Sequence, residues 1–158
     1  MKKFITLYGT PIVNIIEYIK DYLSTHDNIE LLIGCDSQER KKGKRTTYGV
    51  VIALYTPGKG AHVLCYKEST PVERNLAVRL INETWRSIEI AEYLRENGLP
   101  KVKYIDIDLN PDPKYDSNKT LRQAIGLVEG MGYTARWKRH GAMVTRAADH
   151  LVRDKKVV

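Results

Sequence analysis

Several acids in this chain stand where a folded core would not choose them. Asp36 ends the most apolar run, Leu31-Leu32-Ile33-Gly34-Cys35. A carboxylate there is costly unless it is paired, hydrogen-bonded or metal-bound, although with Ser37 it also suits the capping of a strand exit. Asp106 and Asp108 lie in Val102-Lys103-Tyr104-Ile105-Asp106-Ile107-Asp108-Leu109. In a strand they share one face, roughly 7 Å apart, with Ile105, Ile107 and Leu109 on the other. Glu83 falls, at about 100° per residue, among Leu76, Leu80, Ser87 and Ile90 on the apolar stripe of a long helix, whereas Glu89, Glu92 and Glu96 face outward. Glu73 lies near the same arc, where a capping role accounts for it. Asp149 sits beside the stripe Met143, Val144, Ala147, Ala148, Leu151 and Val152 of a last helix. Acids on two strand ends and two helices are hard oxygen donors, suited to Mg²⁺ or Mn²⁺ rather than zinc. Two such ions can stabilise the attacking and leaving oxygens of a phosphodiester displacement.

The elements that must position these acids follow from periodicity and turn chemistry. Thr10 and Pro11 suit the start of a first helix over about 10–24, with Ile12, Ile15, Ile16, Ile19 and Leu23 at helical spacing. Three strands follow, over about 31–35, 46–55 and 61–67, joined by short turns into an antiparallel meander. Thr70-Pro71-Val72-Glu73 reads as a capping box opening a long helix that stops near Asn97-Gly98. Then come a strand (102–109), a loop (110–116), a helix (117–131), a short strand (133–137) and a last helix (142–155). Strands that alternate with helices imply parallel additions to the sheet. The expected architecture is a single α/β domain: a five-stranded mixed sheet, βββαβαβα, with helices on both faces and an extra N-terminal helix.

Composition agrees with one domain. The chain has 158 residues, 42% apolar and 28% charged, which suits a globular chain rather than a disordered one. No apolar run is long enough to span a bilayer, and the N-terminal stretch is too short for a signal peptide, so no membrane association is expected. Cys35 and Cys65 lie inside apolar runs and read as buried hydrophobes in a reducing, cytoplasmic setting. The net charge of +7 is uneven: residues 111–158 hold ten Lys/Arg and five Asp/Glu, against sixteen and fourteen before them. A second basic cluster is Arg40-Lys41-Lys42-Gly43-Lys44-Arg45. Clustered basic charge suits a polyanion, although it also suits solubility alone.

Taken together, the order of elements and the placement of the acids resemble a ribonuclease H-like domain. Within that superfamily the chain resembles the YkuK-like family of bacterial proteins. The resemblance is carried by Ile33-Gly34-Cys35-Asp36-Ser37-Gln38, by Gly58-Lys59-Gly60-Ala61-His62, by Glu83, Ser87, Glu89 and Ala91, by Gly130-Met131-Gly132-Tyr133 and by Ala148-Asp149. It implies that Asp36, Glu83, Asp108 and Asp149 are the metal-binding carboxylates, and it favours Asp108 over Asp106. The chain departs from the family at His140-Gly141 and in the loop at 110–116. The superfamily's helical acid often lies nearer the helix start than Glu83 does here, which keeps Glu73 as an alternative.

The expected function is a metal-dependent nuclease. Asp36 and Asp108 would bridge two ions, and Glu83 and Asp149 would complete one each. Lys41, Lys42, Lys44, Arg45, Arg136, Lys138 and Arg139 are expected to grip a nucleic-acid backbone. Trp137 or Tyr133 offers a ring for stacking, and His140 a proton for the leaving group. The rival reading is a nucleic-acid-binding or scaffold module that keeps the fold without turnover. An actin-like or sugar-kinase nucleotide-binding domain fits poorly, since the chain is short and lacks a phosphate-cradling glycine loop.

Overall fold

The computed structural model describes residues 2–40, 42–108 and 117–138. Six strands form one mixed sheet: β1 (Ile5–Thr6), β2 (Glu30–Arg40), β3 (Arg45–Thr56), β4 (Gly60–Pro71), β5 (Tyr104–Asp108) and β6 (Ala135–Lys138). Their spatial order is β1-β4-β3-β2-β5-β6. The helices are α1 (Ile15–Thr25), α2 (Leu76–Glu96) and α3 (Ser117–Gly130). None of the described helices is long and apolar enough to cross a membrane.

β2, β3 and β4 make the expected antiparallel meander. Pairing between β2 and β3 runs from Glu30 opposite Tyr55 to Arg40 opposite Arg45. The turn that closes this hairpin needs left-handed backbone, which Lys42 (φ 57°) and Gly43 (φ 75°) supply. β5 then pairs with β2 in parallel, and β6 with β5 in parallel. Parallel neighbours require crossovers, and α2 and α3 provide them.

Alternation along the strands divides the core in two. Leu31, Ile33 and Cys35 of β2 share a face with Val50, Ile52 and Leu54 of β3, Leu64 and Tyr66 of β4, and Ile105 and Ile107 of β5. Onto this face pack Ile15, Ile16 and Ile19 of α1, Leu80, Ile88, Ala91 and Leu94 of α2, and Ala124 and Val128 of α3. Leu32, Val51, Ala53 and Cys65 form a smaller buried cluster on the opposite face. The two thiols are free and buried, one in each cluster. Each large aliphatic side chain so buried contributes about 1.5–3 kcal/mol. The three described helices therefore share one face. The helix expected over 142–155, and the loop at 110–116, lie outside the described residues.

Three expectations need correction. The sheet has six strands rather than five, because Ile5 and Thr6 pair with Cys65 and Leu64 on the outer edge of β4. Two residues are too few to leave a period in the sequence. The first helix begins at Ile15, not at Pro11. Gly9 (φ 87°) turns the chain so that Pro11 bridges Ile5, and Asn14 caps the helix by accepting from the Glu17 N–H at 3.1 Å. The third correction bears on the site. Thr70 and Pro71 remain in the β3–β4 ladder, opposite Thr46 and Arg45. Their backbone is committed to the sheet, so the capping-box pattern goes unused. α2 opens instead at Asn75, whose Oδ1 accepts from the Val78 N–H at 3.1 Å. Glu73 lies outside the helix, its N–H bonded to Thr46 Oγ1 and its Oε1 to the Asn75 N–H. Glu83 thereby comes to lie only about two turns into α2.

The position of this cap is testable. Asn75→Ala is expected to lower stability by about 1 kcal/mol in urea unfolding. Thr70→Val is expected to change it by no more than about 0.5 kcal/mol.

Candidate active site

β2 and β5 stop pairing at Gly34 opposite Asp106. Asp36 and Asp108 each lie two positions further along their strands, on the same face and at equivalent register. Asp36, expected at a strand end, instead lies inside β2, which stays paired with β3 as far as Arg40, whereas β5 ends at Asp108. The parting of β5 from β2 beside these two acids is the kind of place where α/β sheets hold ligands. Asp36 is buried and Asp108 half-buried in this crevice.

Asp106, one pleat back on β5, is engaged by an arginine. Arg136 of β6 sits opposite it in register and donates to both of its oxygens, Nε to Oδ1 at 2.7 Å and Nη2 to Oδ2 at 2.9 Å. The guanidinium also lies over the Tyr104 ring, 5.1 Å from its centroid. A bidentate fork of this kind neutralises the acid and fixes its rotamer. The two aspartates that sequence spacing could not tell apart thus stand in different surroundings.

Glu83 comes from α2, on the helix-covered side of the sheet. It is buried, and Ser37 Oγ donates to its Oε2 at 2.7 Å. Ser37 is held in turn by Arg79, one turn earlier on α2: Nε donates to Ser37 Oγ at 3.0 Å and Nη2 to the Ser37 carbonyl at 2.7 Å. Burial is the main cause that pushes the Glu83 carboxyl well above its usual range, followed by the Asp36 charge; the Ser37 hydrogen bond opposes the shift, Asp108 adds to it and Arg79 counters it. Glu83 therefore lies within range of the charges of both Asp36 and Asp108. Among the described residues, no three acid, histidine or cysteine side chains are gathered closely enough to hold a metal ion between them. What the crevice offers is three carboxylates at the edge of a buried region, with a serine and an arginine behind one of them.

The expected basic grip is placed unevenly. Lys42 and Lys44 are exposed at the tip of the β2–β3 hairpin. Arg45 is half-buried and donates to the Ser69 carbonyl at 2.9 Å. Arg136 is engaged by Asp106. Lys138 ends β6 at the register position opposite Asp108. Trp137 is 42% exposed, whereas Tyr133 is buried in the core with its hydroxyl on Glu92 Oε1. Lys41, Arg139, His140 and Asp149 lie outside the described residues. The sequence reading overlooked Ser37 and Arg79 as partners of Glu83. A signal was present, since Arg79 and Glu83 have the i, i+4 spacing that brings side chains to one helix face.

The burial of the Glu83 carboxyl, with the nearby acid charges added to it, gives a signed expectation. The folded state holds the Glu83 carboxyl above its unfolded pKa, so its protonated form is favoured on folding. That contribution is present at low pH and is lost as pH rises through the shifted value. Glu83→Gln, neutral at every pH, is therefore expected to melt higher than the parent at pH 7.5, by about 2–4 °C if about 1 kcal/mol of the cost of the buried charge is relieved. The gain should shrink at pH 5. Scanning calorimetry at the two pH values checks both.

A family model described as ribonuclease H-like matches residues 12–153. No curated protein matches the chain. Among solved structures, the chain is similar to the native protease–reverse transcriptase of prototype foamy virus, at 11% identity and a TM-score of 0.45. That alignment covers 85% of this chain but 22% of the viral one. So distant a likeness adds no weight, and the assignment rests on the family model, which spans nearly the whole chain. The mixed sheet with its meander and parallel additions is the fold of that family, and the chain belongs to the ribonuclease H-like family.

Proposed function

We propose that this protein is a nuclease, hydrolysing phosphodiester bonds of RNA, RNA/DNA hybrid or DNA with two Mg²⁺ or Mn²⁺ ions. One observation carries the reading: Asp36 and Asp108 stand at equivalent register where β5 parts from β2, with the buried Glu83 hydrogen-bonded to Ser37, the residue after Asp36. Mutually repelling carboxylates with no softer donor among them suit a hard divalent cation. Asp36, Glu83 and Asp108 would hold the ions, with Asp149 as the fourth ligand. When bound, such ions stabilise charge on the attacking and leaving oxygens of the phosphodiester.

The remaining roles fall to the chain's own side chains. Lys42 and Lys44 would neutralise backbone phosphates from the hairpin tip, and Lys41, Lys138 and Arg139 would extend the grip. Arg136, held rigid by Asp106, would present its remaining N–H groups to a phosphate oxygen rather than act as a mobile charge. The exposed Trp137 would stack on a base or sugar. Within the ribonuclease H-like family we place the chain nearest the YkuK-like proteins, and in the cytoplasm.

A second reading, a binding module without turnover, draws on the exposed lysines of the hairpin tip, which would hold a polyanion whether or not the crevice cleaves it. One set of assays separates the two. Labelled RNA/DNA hybrid, duplex DNA, branched DNA and single-stranded RNA are incubated with Mg²⁺ or Mn²⁺. Cleavage of at least one substrate is expected, and Asp36→Asn and Asp108→Asn should each abolish it. Binding without cleavage would favour the module, and no binding at low salt would sink both. In the same binding assay, Lys42→Gln with Lys44→Gln should reduce the slope of log affinity against log salt by about 2, one for each phosphate no longer neutralised.

A further inference from the structure

Glu83, the acid from α2, is anchored through Ser37 and Arg79. Its Oε2 accepts the Ser37 hydroxyl proton at 2.7 Å. A serine hydroxyl has one proton to give and two lone pairs. Arg79 Nε occupies one lone pair at 3.0 Å, while Arg79 Nη2 pins the Ser37 carbonyl at 2.7 Å. With Ser37 fixed at both ends, its proton is directed at Glu83. Ser37 is almost wholly buried, so water does not readily compete for these bonds. Among the described residues, Glu83 Oε1 accepts no such bond.

We infer that Arg79 and Ser37 form a positioning relay that occupies Oε2 of Glu83 and leaves Oε1 as the single oxygen Glu83 presents to a divalent cation. The inference deepens the nuclease reading and rests on it. A carboxylate free to rotate offers one or two oxygens in many orientations, and fixing the rotor lowers the entropy lost on coordination. The fork geometry matters as well as the charge. A lysine at position 79 would keep the positive charge near the acids but could not hold both atoms of Ser37.

The test reads cation binding directly. Isothermal titration of Mn²⁺ into the full chain is run for the parent, Glu83→Gln, Ser37→Ala, Ser37→Thr and Arg79→Lys, alongside kcat and KM on whichever substrate the parent cleaves. Ser37→Ala should weaken Mn²⁺ binding about tenfold, the low end for loss of a ligand's supporting partner. It should lower kcat at sub-saturating Mn²⁺ while leaving KM for the nucleic acid unchanged. Ser37→Thr, which restores a hydroxyl, should recover most of the loss. Arg79→Lys should behave like Ser37→Ala, and the double variant should be no worse than either single one, because Arg79 acts through Ser37. Circular dichroism and melting curves identify any variant that fails to fold, and the folded members of the set then decide. Parental Mn²⁺ affinity in Ser37→Ala, with weakened affinity in Glu83→Gln, would overturn the relay and leave the nuclease reading standing. Parental affinity in Arg79→Lys would reduce Arg79 to a charge and likewise overturn it. No Mn²⁺ binding by the parent, or parental affinity in Glu83→Gln, would overturn both.

Discussion

Like charges held together away from bulk water repel, and the ground around Asp36, Glu83 and Asp108 is shaped by that repulsion. Asp36 and Asp108 flank the place where β5 parts from β2, and Glu83 approaches from a helix within range of both charges. Arg79 supplies a countercharge, and Ser37 supplies a hydrogen bond that favours the ionised Glu83. Both anchors depend on the register of α2 against β2. A helix shifted by one residue would rotate Glu83 about 100° away from Ser37. The site is thus a property of packing between two elements and not of any local motif.

The packing that sets this register is conventional. Leu80, Thr84, Ser87, Ile88, Ala91 and Leu94 are buried with Glu83 on the sheet-facing side of α2. The aliphatic members bring hydrophobic stabilisation, and Glu83 is carried into the interior by its neighbours. The cap at Asn75 fixes where the helix starts, and the continued β3–β4 pairing through Pro71 fixes how late that is. Sheet, cap and helix face together decide which glutamate reaches the crevice.

Much of this was legible from residue order. The apolar run before Asp36, the period-two acids at 106 and 108 and the apolar neighbours of Glu83 each carried a local signal, and the structure sets Asp36 and Asp108 at equivalent register on neighbouring strands and bonds Glu83 to Ser37. What was not legible depended on distant partners. Thr70-Pro71-Val72-Glu73 has the composition of a helix start, yet ladder bonds to a strand about 25 residues earlier claim the backbone of Thr70 and Pro71. Asp106 and Asp108 are equivalent as spacing, and the fold tells them apart by burying Asp106 more deeply and bringing Arg136 of β6 onto it. β1 escaped because two residues carry no periodicity. Arg79 and Ser37 are ordinary residues in their own segments and become partners only when α2 lies over β2.

The described arginines and lysines have divided their labour. Arg45, Arg74, Arg79, Arg86 and Arg136 each bond to the protein itself: to the Ser69 carbonyl, the Gly43 carbonyl, Ser37, Glu68 and Asp106. Planar forks that could read a shaped partner are turned inward as staples between strands, turns and helices. The outward charge is left mainly to lysines such as Lys3, Lys20, Lys42, Lys44, Lys59 and Lys101, all exposed. An ammonium on a flexible stem attracts without dictating direction. Among the described residues, the outward charge is thus mobile while the planar forks are largely spent on holding the fold together.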